Sequence, residues 1–99
     1  MGIDRIQLRN PDRTKKGPRL AKASYVIART TALAVVPKKA PGITLANYLA
    51  AMKTRLPMAT GWDPSASAGW WAMAIKLDLE ARGELKRVND KPPQRIARA

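Results

Sequence analysis

A chain of 99 residues can build one small core and has no room for a second, and its 45% apolar content argues against wholesale disorder. The absence of both Cys and His removes disulfides, thiolate metal sites, the commonest general base and the commonest metal ligand together. Nineteen Lys and Arg against seven Asp and Glu leave a net charge of +12, an excess that opposes compaction and that a polyanion such as nucleic acid would relieve.

Residues 1–19 read as a basic arm that carries Arg5, Arg9, Arg13, Lys15, Lys16 and Arg19, interrupted by Asn10-Pro11 and Gly17-Pro18. Ile3, Ile6 and Leu8 would allow a short strand or docking segment within this otherwise irregular and mobile stretch. The first ten residues hold no apolar signal-peptide core, and no run approaches the roughly 20 apolar residues of a membrane span. The expectation is a cytoplasmic protein with no membrane partner.

Residues 20–99 read as the domain itself. A first helix is expected from about Leu20 to Val36, with Tyr25, Ala28, Ala32, Leu33 and Val36 along one face and Pro37 as its end. Lys38 to Gly42 form a loop, and Thr44 is a good N-cap for a second helix. That helix places Leu45, Tyr48, Leu49, Met52 and Leu56 at half-buried spacing, and Pro57 closes it. After a connector with Gly61 and Pro64, in which Asp63, Ser65 and Ser67 are rival caps, a third helix runs to Arg82 and stops at Gly83.

The third helix is apolar on two sides. At about 100 degrees per residue, Ala68, Trp71, Ala72, Ile75 and Leu79 share one face, and Trp70, Met73, Leu77 and Ala81 fall roughly opposite. The first face is core, with Trp71 read there in preference to a stacking role on a base. The second needs a cover: the arm through Ile3, Ile6 and Leu8, a second copy in a homodimer that uses Trp70, Met73 and Leu77, or a ligand or peptide at Trp70. The tail then offers two short strands, Glu84–Val88 and Gln94–Arg98, around an Asn89-Asp90-Lys91-Pro92 turn. Pro92 and Pro93 would restrict the second of them to an edge.

The fold class that follows is mainly α with a small C-terminal β-hairpin, in the order of a winged helix-turn-helix: three helices plus a wing. The passage Leu79-Glu80-Ala81-Arg82-Gly83-Glu84-Leu85-Lys86-Arg87 resembles the step from recognition helix into wing in bacterial winged-helix regulators. Tyr25 to Pro37, Gly69-Trp70-Trp71, Lys76 to Gly83, and Lys91-Pro92-Pro93-Gln94-Arg95 together resemble a family of small uncharacterised bacterial proteins, a domain of unknown function. That resemblance implies a winged-helix-like fold and transfers no functional residues.

No phosphate-binding loop, dinucleotide turn, nucleophile elbow or H-E-x-x-H helix is present. Asp78 and Glu80 could not act as a carboxylate pair, because residues two apart on a helix point away from one another. The reading is therefore not an enzyme, with no cofactor and no metal. The expected function is nucleic-acid binding, duplex DNA first, through phosphate contacts by Arg13, Lys15, Lys16 and Arg19 of the arm, Lys76 of the third helix, and Lys86, Arg87, Lys91, Arg95 and Arg98 of the tail. Alternatives are a dimerisation or protein-interaction module through the Trp70 face, and an RNA- or ribosome-associated protein. On the leading reading, arm and tail meet one polymer over a shared surface.

Overall fold

The computed structural model describes residues 4–12, 14–15, 17–89 and 91–99. Strand β1 (Arg5–Gln7) pairs antiparallel with β2 (Arg19–Ala21), so the expected irregular arm contains a two-stranded sheet with Ile6 opposite Leu20. The chain passes from β2 straight into helix α1 (Lys22–Val35), where Lys22 N donates to Asp4 O at 2.8 Å. Tyr25, Ala28 and Ala32 are the buried stripe of α1. The two alanines let its axis lie close to its neighbour, since interaxial distance follows side-chain size.

Strand β3 (Ile43–Thr44) precedes helix α2 (Leu45–Arg55). Thr44 is the N-cap that the sequence predicts, its hydroxyl accepting from Asn47 N at 3.2 Å. Tyr48 and Met52 are fully buried, and Leu56 follows them in a single 3-10 turn that contains Pro57. Of the three candidate caps before helix α3 (Ala68–Ala81), Ser67 is the one used, its hydroxyl accepting from Trp70 N at 3.2 Å. Gly83 ends α3 at a φ of 77°, with Gly83 N on Glu80 O at 3.1 Å and Glu84 N on Leu79 O at 2.8 Å. That pair of bonds is the Schellman stop, which the glycine makes possible.

Strands β4 (Leu85–Arg87) and β5 (Arg95–Arg98) pair antiparallel with Leu85 opposite Arg98. β5 also pairs with β3, so the sheet order is β3-β5-β4 and β5 is the central strand. The edge position expected for it is wrong. Pro92 and Pro93 lie in the connection before the ladder, where the missing N–H groups break no strand bond. Gly42 is needed where β3 meets β5: its φ is 74°, and a Cβ there would sit 2.2 Å from Ile96 O.

Helix α3 is the hub. Trp71, Ala72, Ile75 and Leu79 form the core face that the 3.6-residue period predicts, joined by Leu8, Tyr25, Tyr48, Leu56, Leu85 and Ile96. Trp62, in the connector, completes the core with its ring edge against Trp71 at 5.8 Å.

Candidate nucleic-acid interface

Three of the five C-terminal cations predicted to meet phosphate are exposed: Lys86 and Arg87 on β4, and Lys91 in the connection. Arg95 and Arg98 on β5 are half-buried. The connection is ordered by one side chain. Asn89 Nδ2 donates to Lys91 O at 2.8 Å and Pro93 O at 2.9 Å, while its Oδ1 accepts from Arg95 N at 2.9 Å. Oriented with its oxygen toward Arg87, the Gln94 amide accepts from that guanidinium at 2.7 Å through two nitrogens. Arg98 Nε donates to Val36 O at 3.0 Å, which ties β5 to the end of α1. Lys38, Lys86 and Arg98 consequently share the walls of an open concavity of about 620 Å³ with Glu84. The sequence reading left Lys38 in a loop with no role; its signal was the Lys38-Lys39 pair immediately after the helix-ending Pro37.

Among the described residues, the carboxylates at the end of α3 and just beyond it are engaged on the body of the domain, and Asp90, next to Lys91 in sequence, lies outside the described residues. Glu84 pairs with Arg29, and Glu80 pairs with Lys76 one turn back on α3. Asp78 is completely buried and accepts from Arg82 Nε at 2.9 Å, Tyr25 Oη at 2.7 Å and Arg9 N at 2.8 Å. Asp12 and Asp63 hold turns instead, and hydrogen bonds from Thr14 and Ser65 keep their carboxyls below the usual range. Burial, and then the bond to Asp78, push the Tyr25 hydroxyl up to about 12.

Lys76 does not join the surface set. Only 3% of it is exposed, with its ammonium against Glu80, so its charge is matched inside the fold. On the arm, Lys15 and Arg19 are exposed, whereas Arg13 and Lys16 lie outside the described residues. Asp4 O meets Lys22 at the first turn of α1, and Pro37 O meets Arg98 N at 2.9 Å just beyond its last. The arm sheet is thus tied to the first turn of α1 and β5 to the residues just beyond its last, while Arg82 Nη2 donates to Gln7 O at 3.3 Å and Glu84, just before β4, pairs with Arg29 midway along the helix. No strand joins the two sheets among the described residues.

The second face of α3 is partly covered from within. Leu8 is 2% exposed and Ile6 packs against the core; Ile3 lies outside the described residues. Trp70 stays 48% exposed, while Met73 and Leu77 are half-buried. Arm and helix leave between them an open groove of about 210 Å³, with Leu8, Arg9 and Pro18 on one side and Trp70, Met73 and Leu77 on the other.

Among the described residues no group of three or more Asp and Glu could hold a metal, and no helix is long and apolar enough to cross a membrane. No curated protein and no solved structure matches the chain. The model of a family of unknown function, DUF6958, matches residues 5–96, and this chain belongs to that family.

Proposed function

We propose that this is a winged-helix-type domain that works in the cytoplasm and binds duplex DNA chiefly through its phosphates. The succession helix, strand, two helices, two strands, with sheet order β3-β5-β4, supports the winged-helix reading. The observation that carries the binding proposal is electrostatic. Glu84, Glu80 and Asp78 are each engaged by a cation of the body, and Lys38, Lys86, Arg87 and Lys91 are exposed around the C-terminal sheet.

Helix α3 is not the reader in this proposal. From Trp71 to Ala81 no residue of it is exposed, so it offers no polar face to base edges. Contacts to phosphate position a protein without reading sequence, and weak sequence preference is expected. Lys15 and Arg19, exposed on the arm, would add further phosphate contacts.

The test is a mobility shift of duplex DNA across a salt series. Log affinity should fall with log salt at a slope of roughly −0.9 per phosphate contact, and Lys86→Ala with Lys91→Ala should flatten it by about two contacts. A flat titration of the unaltered protein overturns the proposal, and preference for structured RNA over duplex DNA would redirect it to the RNA alternative. Dimerisation through Trp70, Met73 and Leu77 is the weaker reading, because the arm already occupies part of that face.

A further inference from the structure

The groove between arm and α3 has two fixed walls. On the arm side, Leu8 N donates to Pro18 O at 3.0 Å and Gln7 Nε2 donates to Gly17 O. Gly17 lies so close that a Cβ on it would be 2.7 Å from Leu8 O. The chain on either side of the arm loop is thus clamped together. On the helix side, the Trp70 ring stands edge-on to Trp71, at 90° and 5.6 Å between centroids, which sets its plane.

The space between the walls is about 210 Å³. That volume suits one aromatic ring system and a substituent. A helix from a second copy, roughly 10 Å across, would not enter it. Among the described residues the lining is apolar except on the arm, where Arg9 and Asn10 contribute. Arg9 is held by its backbone amide on Asp78, so its guanidinium takes no part in that anchor. Asp78, the carboxylate behind this wall, also receives Tyr25 Oη and Arg82 Nε and does not draw the Arg9 side chain inward. An apolar slot lined in part by an exposed arginine suits a flat apolar body that carries a carboxylate.

We propose that this groove binds a small aromatic carboxylate, its ring against Trp70 and Leu8 and its carboxylate on Arg9. The site is separate from the cations of the C-terminal sheet and stands or falls independently of DNA binding.

The experiment titrates the ¹⁵N-labelled full chain with benzoate, indole-3-carboxylate and 2-naphthoate, each beside its neutral carboxamide, and follows amide and indole N–H shifts. At least one acid should perturb the Trp70 indole together with the amides of residues 8–10 and 17, and its carboxamide should bind about tenfold more weakly. Arg9→Gln should erase the preference for the acid while leaving the melting temperature unchanged, and Ala74→Met should fill the groove and remove binding. The proposal is overturned if no acid shifts these resonances, if acid and amide bind equally, or if the perturbed residues are Lys38, Lys86 and Arg98 instead. A dimer in light scattering that buries the Trp70 indole would also overturn it.

Discussion

The two basic segments of this chain are attached to the helical body by different physics. The C-terminal segment is built in: β5 lies between β3 and β4, and Ile96 and Leu85 are buried in the core. The N-terminal segment is latched on. Its three-residue β1 pairs with β2, Leu8 is its one fully buried apolar side chain among the described residues, and its polar links to α3 and its cap are the Arg9 amide on the buried Asp78 carboxylate and Arg82 Nη2 on Gln7 O at 3.3 Å. Apolar burial is non-directional and tolerates small adjustments. A buried carboxylate with three donors depends on all of its partners at once.

The largest effect should come from Asp78→Ala. Losing the acceptor strands the Arg9 amide, the Tyr25 hydroxyl and the Arg82 guanidinium, and should cost about 3–5 kcal/mol in urea denaturation. The difference between the two segments predicts that hydrogen exchange rises first in residues 5–9 and only later in β5. A loss below about 1 kcal/mol, within the range of a single ordinary hydrogen bond, would break the latch description.

Leu8→Ala should come next, at about 2–4 kcal/mol, and should likewise loosen the arm before the sheet. Ile96→Val probes the other segment. It should lower stability by about 1 kcal/mol through lost methyl packing and leave exchange in the arm unchanged.

The last effect is read at alkaline pH and concerns Tyr25. Its hydroxyl is raised from 10.0 to about 12 by burial and the Asp78 bond, so the fold favours the neutral phenol. That contribution is complete below pH 10 and is lost as pH rises from 10 toward 12. Tyr25→Phe should therefore blunt the alkaline loss of stability in a pH series of denaturation midpoints. An alkaline limb identical to that of the unaltered chain would mean that neither burial nor Asp78 raises this hydroxyl.

The helices were legible because their signals are local. Thr44, Ser67 and Gly83 sit where caps and stops are needed, and the buried face of α3 follows from periodicity alone. Strand β3 was not legible: two residues carry no alternation, and their pairing depends on Ile96, 53 positions beyond Ile43. Asp78 was not legible as a buried anchor because its partners Tyr25 and Arg9 lie 53 and 69 residues away. Lys76 misled for the opposite reason. A helical wheel gives angle and not depth, and only the depth at which this turn of α3 sits brings Lys76 down to 3% exposure against Glu80. In the candidate interface, the tail cations were found by composition, but the engagement of Glu84 by Arg29 needed the tertiary fold.

The contact between the Arg9 amide and Asp78 has a consequence for how this protein can vary. A main-chain N–H is supplied by any residue except proline, so the mooring is blind to the identity of the side chain at that position. The rim of the groove could therefore be rewritten, cation for amide or amide for acid, without unfastening the segment that carries it, and a change of ligand preference would not need to come with a change of fold.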